Sequence, residues 1–561
     1  MTRNTAPDNP QSPENPPRPA ASRFARWRAA TLSPFGYRTF ALFWTASLFS
    51  SFGGMFQTVG ASWLMSTIAP SPDWVALVVA ANSLPFFALS LIAGALGDTY
   101  DKRIVMLGSQ LLAAAGAVAL AVLALHGAIT PTLLLVFTFV VGCGAAILSP
   151  TWQASVGDLV PRDKIPAAVS ANSLGFNSAR SVGPAIGGII VASAGAAVAF
   201  VVNAISYLGL ILVIYFWRPP RPHNPLPPEP LGAAILAGLR YVRLSPPLVA
   251  IYIRATTFTV SFAAVQALMP VVARDLHGGD ARMYGLLLGG FGVGAVLGAL
   301  SNTTLRTRFS NDRLVQIMSF AAAGAALTIG LSPWLLLTAA AYMLAGGTWI
   351  LALLTVNVST QFSSPRWVTA RTLAIYQTLA FGGLAAGSWM WGEIAHAADL
   401  RVAMCLAGAA LLCSGLIAPW ARIPTPETGS FDPHGGAPVA EPELELQPSS
   451  GPIVLSIEYR IAPDDAPEFL SLINELGRIR RRDGARDWSI CQDIDDPVLW
   501  VERFESPTWL DHQRRQSRPT KTDQAVRERI AALAEGGRGT VRRFIERPPG
   551  SRLPGMPDDE D

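Results

Sequence analysis

From residue 39 to residue 420 the chain alternates long apolar runs with short polar breaks. A helix needs about 20 apolar residues to cross a bilayer. Twelve runs meet that length, at 39–67, 74–97, 103–125, 131–156, 166–192, 196–217, 247–273, 283–306, 312–331, 334–361, 369–394 and 399–420. The pattern predicts an all-α membrane protein with about twelve transmembrane helices.

The period changes after residue 450. Ile453, Leu455, Ile457, Tyr459 and Ile461 alternate with other residues, as in a half-buried strand. Ala466, Phe469, Leu470, Ile473 and Leu476 follow at helical spacing. Trp488/Ile490 and Val498/Trp500 read as two strands about the turn Asp495-Asp496-Pro497. A helix from Thr520 to Glu535 and a strand from Val541 to Ile545 complete a β-α-β-β-α-β order. That order predicts a small α+β ferredoxin-like domain. The domains expected are a disordered tail (1–35), a six-helix half (36–217), a linker with an amphipathic helix at Leu231 to Leu244 (218–246), a second six-helix half (247–421), a Pro/Gly/Glu-rich linker (422–450), the ferredoxin-like domain (451–548) and a second disordered tail (549–561).

The two halves repeat at an offset of 204 positions. Gly94-Ala95-Leu96 recurs at Gly298-Ala299-Leu300, Gly142 at Gly346, Pro161-Arg162 at Pro365-Arg366 and Gly183 at Gly387. The shared offset predicts two parallel six-helix halves. Basic residues gather in alternate loops, such as Lys102, Arg103, Arg162, Lys164, Arg306 and Arg308, and the opposite loops carry few. By the positive-inside rule both ends of the chain are expected in the cytoplasm, with the protein in the cell (inner) membrane. No cleavable signal peptide is visible.

Half of the residues are apolar, and charged residues make up only 15%. The net charge of +4 is too small to argue for nucleic acid. Cys143, Cys405, Cys413 and Cys491 have neither metal-ligand nor disulfide-framework spacing. No metal or cofactor is expected, and no Gly-x-x-x-x-Gly-Lys loop argues for ATP-driven transport.

Between the second and third spans runs Gly94-Ala95-Leu96-Gly97-Asp98-Thr99-Tyr100-Asp101-Lys102-Arg103. Gly94, Leu96, Asp98, Lys102 and Arg103 match a loop motif of the major facilitator superfamily, and the chain resembles that family. Thr99 and Asp101 depart from the motif. The resemblance implies a secondary transporter working by alternating access, with this motif at a cytoplasmic gate. Asp98 is expected to pair with Arg103 or, across the seam, with the helix carrying Arg371. In the fifth span, Gly183-Pro184-Ala185-Ile186-Gly187-Gly188 resembles the antiporter motif of drug-efflux members. Its Gly183, Pro184, Gly187 and Gly188 permit a kink and close packing on a neighbour, and the likeness favours export.

Arg180 lies mid-span, where a cation costs several kcal/mol unless a cavity or partner receives it. Arg254 lies nearer a span end and could snorkel. The resemblance places the first, fourth, seventh and tenth spans around the cavity. Their Gln57, Trp63, Gln153, Thr256, Thr257, Gln266, Thr355 and Asn357 are polar positions to consider. The substrate pathway expected is Gln57, Gln153, Asn177, Arg180, Gln266 and Asn357. No Asp or Glu lies deep in those four spans, which leaves proton coupling open.

The C-terminal segment carries Arg480-Arg481-Arg482, Trp488, Glu502, Trp509 and His512. It resembles the extra domain of the enterobactin-exporter-like branch, and also small ferredoxin-like monooxygenases. Arg482, Trp488, Glu502, Trp509 and His512 are its candidate functional residues. A regulatory or self-associating role is expected, with Trp488 and Trp500 on an open sheet face. The protein is thus read as a non-enzymatic exporter of an amphipathic siderophore- or drug-like molecule, in contact with the lipid bilayer. The alternative is a membrane-anchored, cofactor-independent monooxygenase.

Overall fold

The computed structural model describes residues 33–218, 231–423 and 442–547, apart from 70, 100, 162–163, 277, 280, 366, 517 and 538. Residues 1–32 and 549–561 of the expected tails, and 219–230 and 424–441 of the two linkers, lie outside the described residues.

The first half consists of α1 (Arg38–Ile68), α2 (Pro72–Thr99), α3 (Lys102–Leu125), α4 (Pro131–Leu159), α5 (Ile165–Ala194) and α6 (Ala196–Phe216). A short α7 (Leu231–Arg243) links it to the second half. That half holds α8 (Pro246–Ala267), α9 (Ala281–Arg308), α10 (Asn311–Leu331), α11 (Leu335–Phe362), α12 (Thr369–Ala397) and α13 (Leu400–Leu416). Among the described residues nine helices are long and apolar enough to cross a membrane, and the 17-residue α13 is a shorter apolar helix. Exposed side chains such as Phe49, Leu300, Leu336 and Trp420 lie along or beside the apolar helices. They fit a lipid solvent and would be costly in water.

Local chemistry sets the helix starts. Asp101, Thr130, Ser310 and Asp399 each accept a hydrogen bond from a backbone N–H of the first turn. Hydroxyls inside spans bond to their own helix, as Thr355 does to the Leu351 carbonyl at 2.7 Å. Thr257 likewise donates to the Ile253 carbonyl at 2.9 Å. These two positions therefore need no substrate to satisfy them.

The sequence repeat reappears as repeated packing. Gly142 of α4 abuts Pro85 of α2, and Gly346 of α11 abuts Phe291 of α9. Gly183 of α5 abuts Met55 of α1, and Gly387 of α12 abuts Val260 of α8. At each of these positions a side chain would separate the same pair of helices in its half.

The seventh span, expected at 247–273, is present over Pro246–Leu276, with a turn after Ala267, a short helix at Met269–Val271 and a π turn at Val272–Leu276. One expectation is corrected here. Arg254 does not snorkel: it is fully buried, and its Nη1 lies 3.4 Å from Oδ1 of Asp312 on α10. The same oxygen accepts from the Ile423 amide at 3.1 Å, so the pair ties α8 and α10 to the chain leaving α13.

The C-terminal unit has β1 (Ile453–Arg460), α14 (Ala466–Arg482), β2 (Arg486–Gln492), β3 (Leu499–Ser506), α15 (Trp509–Gln516), α16 (Lys521–Leu533) and β4 (Thr540–Ile545). The strands form one antiparallel sheet in the order β2-β3-β1-β4. Phe469, Leu472, Ile473 and Leu476 of α14 and Val526 and Ile530 of α16 fill the core over Leu455, Ile457, Trp500 and Phe504. The core is thus a helix layer on one sheet face, as the two sequence periods predict. Trp488 and Trp500 belong to this covered side, against the expectation of an open face. The Trp500 ring packs at a tilt on Phe469, centroids 5.6 Å apart, and the Trp488 ring lies against Gly477 of α14. The other sheet face carries ion pairs, Arg503 with Glu505 and Arg542 with Glu458, each at 3.6 Å.

Candidate functional site

The connectivity puts α7, the α11–α12 turn and the C-terminal unit at one end of the helices, called here the near side. The halves meet from mid-span to the far side. Trp63 of α1 stacks on Tyr284 of α9 with ring centroids 5.8 Å apart. Arg274, on the π turn, donates to the Ser66 carbonyl at the end of α1. Phe86 of α2 stacks on Phe381 of α12 at 4.6 Å, and Gly392 of α12 rests on Asp73 and Ala76. Gly188 of α5 touches Gly285 of α9, where a Cβ would stand 2.6 Å from the opposing Cα. The fifth-span motif is therefore a backbone contact between the halves, and its Gly183 and Gly187 seat α5 on α1. Pro184 is buried within α5.

Arg180 stands on α5 at the inner end of this closure. Its guanidinium lies 5.8 Å from the Trp349 ring of α11 in the other half. Trp349 stacks on Phe262 at 4.9 Å and Phe258 at 6.2 Å, both on α8. The Trp349 indole N–H is buried with no hydrogen-bond partner among the described residues. One cation beside an aromatic wall, with an unpaired donor, suits a ligand with an apolar body and an anionic or acceptor group.

The other pathway positions do not gather there. Gln57 is buried and accepts from Asn203 of α6, which makes it a tie within the first half. Asn357 accepts from Gln361, one turn along, at 2.6 Å. Gln266 is half-buried at the far end of α8. The side chains of Gln153 and Asn177 lie outside the described residues.

Of the gate motif, Gly94, Leu96 and Asp98 fall in the last turns of α2, and their side chains lie outside the described residues. Lys102 Nζ lies 2.7 Å from Asp158 Oδ2 at the end of α4, both half-buried. Arg103 donates to the Tyr215 carbonyl of α6 and lies over that ring at 5.7 Å. The two cations thus fasten α3 to α4 and α6. Sequence reasoning left Asp158 unassigned. Its signal was its position at the near end of α4, beside the start of α3.

In the C-terminal unit, buried Glu502 accepts from Arg480 (3.2 Å), Trp488 (3.0 Å) and Tyr459 (3.1 Å). Arg482 holds Asp523 at 2.8 Å and Asp483 at 3.1 Å. His512 is buried and stacked on Trp509, with Arg515 at 3.2 Å from Nδ1 and Gln516 at 3.1 Å from Nε2. Both ring nitrogens are occupied, an arrangement suited to packing. Burial first, and then Arg515 and Arg543, push its pKa down from 6.5 to about 4. Because the folded value is depressed for a base, stability is fully present above 6.5 and is lost as pH falls toward 4. The loss is at most about 3 kcal/mol. Burial raises the pKa of Asp483 and acts in the opposite sense, so the comparison must be with His512→Gln. Amide exchange of β3 in the full chain, corrected for intrinsic rates, should show a larger acid loss in the parent. Equal losses would refute this assignment.

Two six-helix halves with a cationic and aromatic seam define a transporter of the major facilitator type. The chain belongs to the transmembrane secretion effector family, whose profile matches residues 29–549. It is similar to the multidrug efflux pump Tap of Mycolicibacterium fortuitum, 26% identical over 384 residues, 66% of this chain and 93% of that protein. It is also similar to the staphyloferrin A transporter of Staphylococcus aureus, 26% identical over 266 residues, 46% of this chain and 65% of that protein. The enterobactin exporter EntS of Salmonella typhi is 27% identical over 46% of this chain and 61% of that protein. Among solved structures, a POT family transporter in complex with 5-aminolevulinic acid aligns with a TM-score of 0.56 at 13% identity, covering 69% of this chain and 97% of that one. That likeness shows the fold alone. The protein is a multi-pass membrane transporter and not an enzyme, which removes the monooxygenase alternative.

Proposed function

We propose that the protein exports an anionic amphiphile of siderophore or acidic-drug type across the inner membrane by alternating access. The near side then faces the cytoplasm, with both termini, as the loop charges favour. The observation that carries the reading is Arg180 of one half set over Trp349 of the other. A carboxylate or catecholate would meet the guanidinium, and its apolar part would lie on Trp349, Phe262 and Phe258. The closed far side supports loading from the cytoplasm. The names of the efflux and siderophore relatives agree with this substrate class. The open sheet face of the C-terminal unit is also proposed to pair with a second copy.

The test is cellular. Cells expressing the protein should retain less of an anionic siderophore-type probe and release more to the medium than cells with empty vector. Unchanged retention across a panel of anionic amphiphiles would overturn the proposal.

A further inference from the structure

The C-terminal unit rests on the near side of the second half through arginine–aromatic contacts. Arg482 lies over the Tyr241 ring of α7 at 4.9 Å, and Arg518 lies over the Trp367 ring at 4.1 Å. Tyr241 and Trp367 meet edge to face at 5.6 Å, so the two rings form one platform. Arg240 of α7 reaches the backbone at Gly484. The arginines are set in place from within their own domain. Arg482 is held by Asp523 and Asp483, and Arg518 donates to the Asp483 carbonyl at 2.9 Å. Their planar faces are therefore pre-oriented toward the rings.

The platform is connected to the moving parts. Trp367 stands in the turn that leads into α12. Gly238 of α7 lies against Arg371 in the first turn of α12. The far end of α12 closes on α2, where Gly392 rests on Asp73 and Ala76. The docking is also imperfect. The Trp367 indole N–H is buried with no hydrogen-bond partner among the described residues, a cost that weakens the docked state. Interfaces of this polar kind between domains exchange readily.

We propose that the C-terminal domain is a reversible latch. Docked on Tyr241 and Trp367, it steadies the near end of α12 and favours the state with the far ends closed. This rests on the alternating-access reading. Released, it lets the far ends separate.

The test uses the full chain reconstituted in lipid, with two readouts. Native Cys491, which is exposed, and Leu239→Cys carry spin labels in a background lacking the other three cysteines. Separately, Asp73→Cys in a background lacking all native cysteines reports far-side opening by its maleimide labelling rate, because Asp73 lies under Gly392 in the closed state. The parent should give one narrow distance. Trp367→Ala, which leaves the domain's own contacts untouched, and Arg518→Ala should both broaden it and raise Asp73→Cys labelling at least threefold. A narrow distance retained in both variants overturns the docking. A broadened distance with unchanged labelling overturns the latch. Neither readout needs a substrate, so a chain that responds this way but moves no probe would contradict the exporter reading alone.

Discussion

Arg180→Ala is expected to lower the rate of probe export by about ten- to 150-fold, with unchanged amounts of protein in the membrane. That range corresponds to losing one charged contact worth about 1.5–3 kcal/mol. Arg180 has the Trp349 ring 5.8 Å from its guanidinium, and a cation at this depth is retained at a cost only where something receives it. Arg180→Lys keeps the charge but loses the planar face that suits an indole and a carboxylate together, and should fall between the two. The check is initial export rate normalised to membrane protein. A full rate for the alanine variant would reduce Arg180 to a packing residue.

Gly188→Leu is expected to have a comparable effect by another route. A Cβ at Gly188 stands 2.6 Å from the Gly285 Cα, and backbone cannot yield as a flexible side chain does. Overpacking of this kind costs roughly 1–3 kcal/mol. Charged to the far-closed state alone, that cost shifts a two-state balance by about five- to 150-fold toward far-open. Export should slow, and far-side cysteines should label faster. Gly188→Ala should do the same to a smaller degree. If Gly188→Leu left labelling unchanged, the Gly188–Gly285 contact would not be part of the cycle.

These two variants differ in how far the sequence foretells them. Arg180 announces itself, because a charge in an apolar run must have a reason. Its partners do not, because Trp349 is one apolar residue among many until folding brings α11 across the seam. The glycines of the fifth span predict close packing, and the fold supplies the neighbours, α1 and α9. Spans, repeat and C-terminal strand order were legible because burial imposes a period on each. The break after Ala267 was not, since Met269, Pro270 and Val271 continue the apolar run and hide the π turn. Gln57 misled for a physical reason. A polar side chain in a span can satisfy itself on a neighbouring helix, here through Asn203, as readily as in a cavity. Trp488 misled as well: it alternates with Ile490 onto the sheet side that α14 covers, and its ring is spent on that helix.

The central claim is that an anionic amphiphile crosses at the Arg180–Trp349 seam. The most direct measurement is uptake into sealed vesicles with the near side outward, comparing an anionic amphiphile with its cationic analogue of equal size. The account predicts that the parent protein accumulates the anionic probe in preference to the cationic one, and that Arg180→Ala loses the anionic uptake. Equal uptake of both probes by the parent, unaltered in Arg180→Ala, would contradict it.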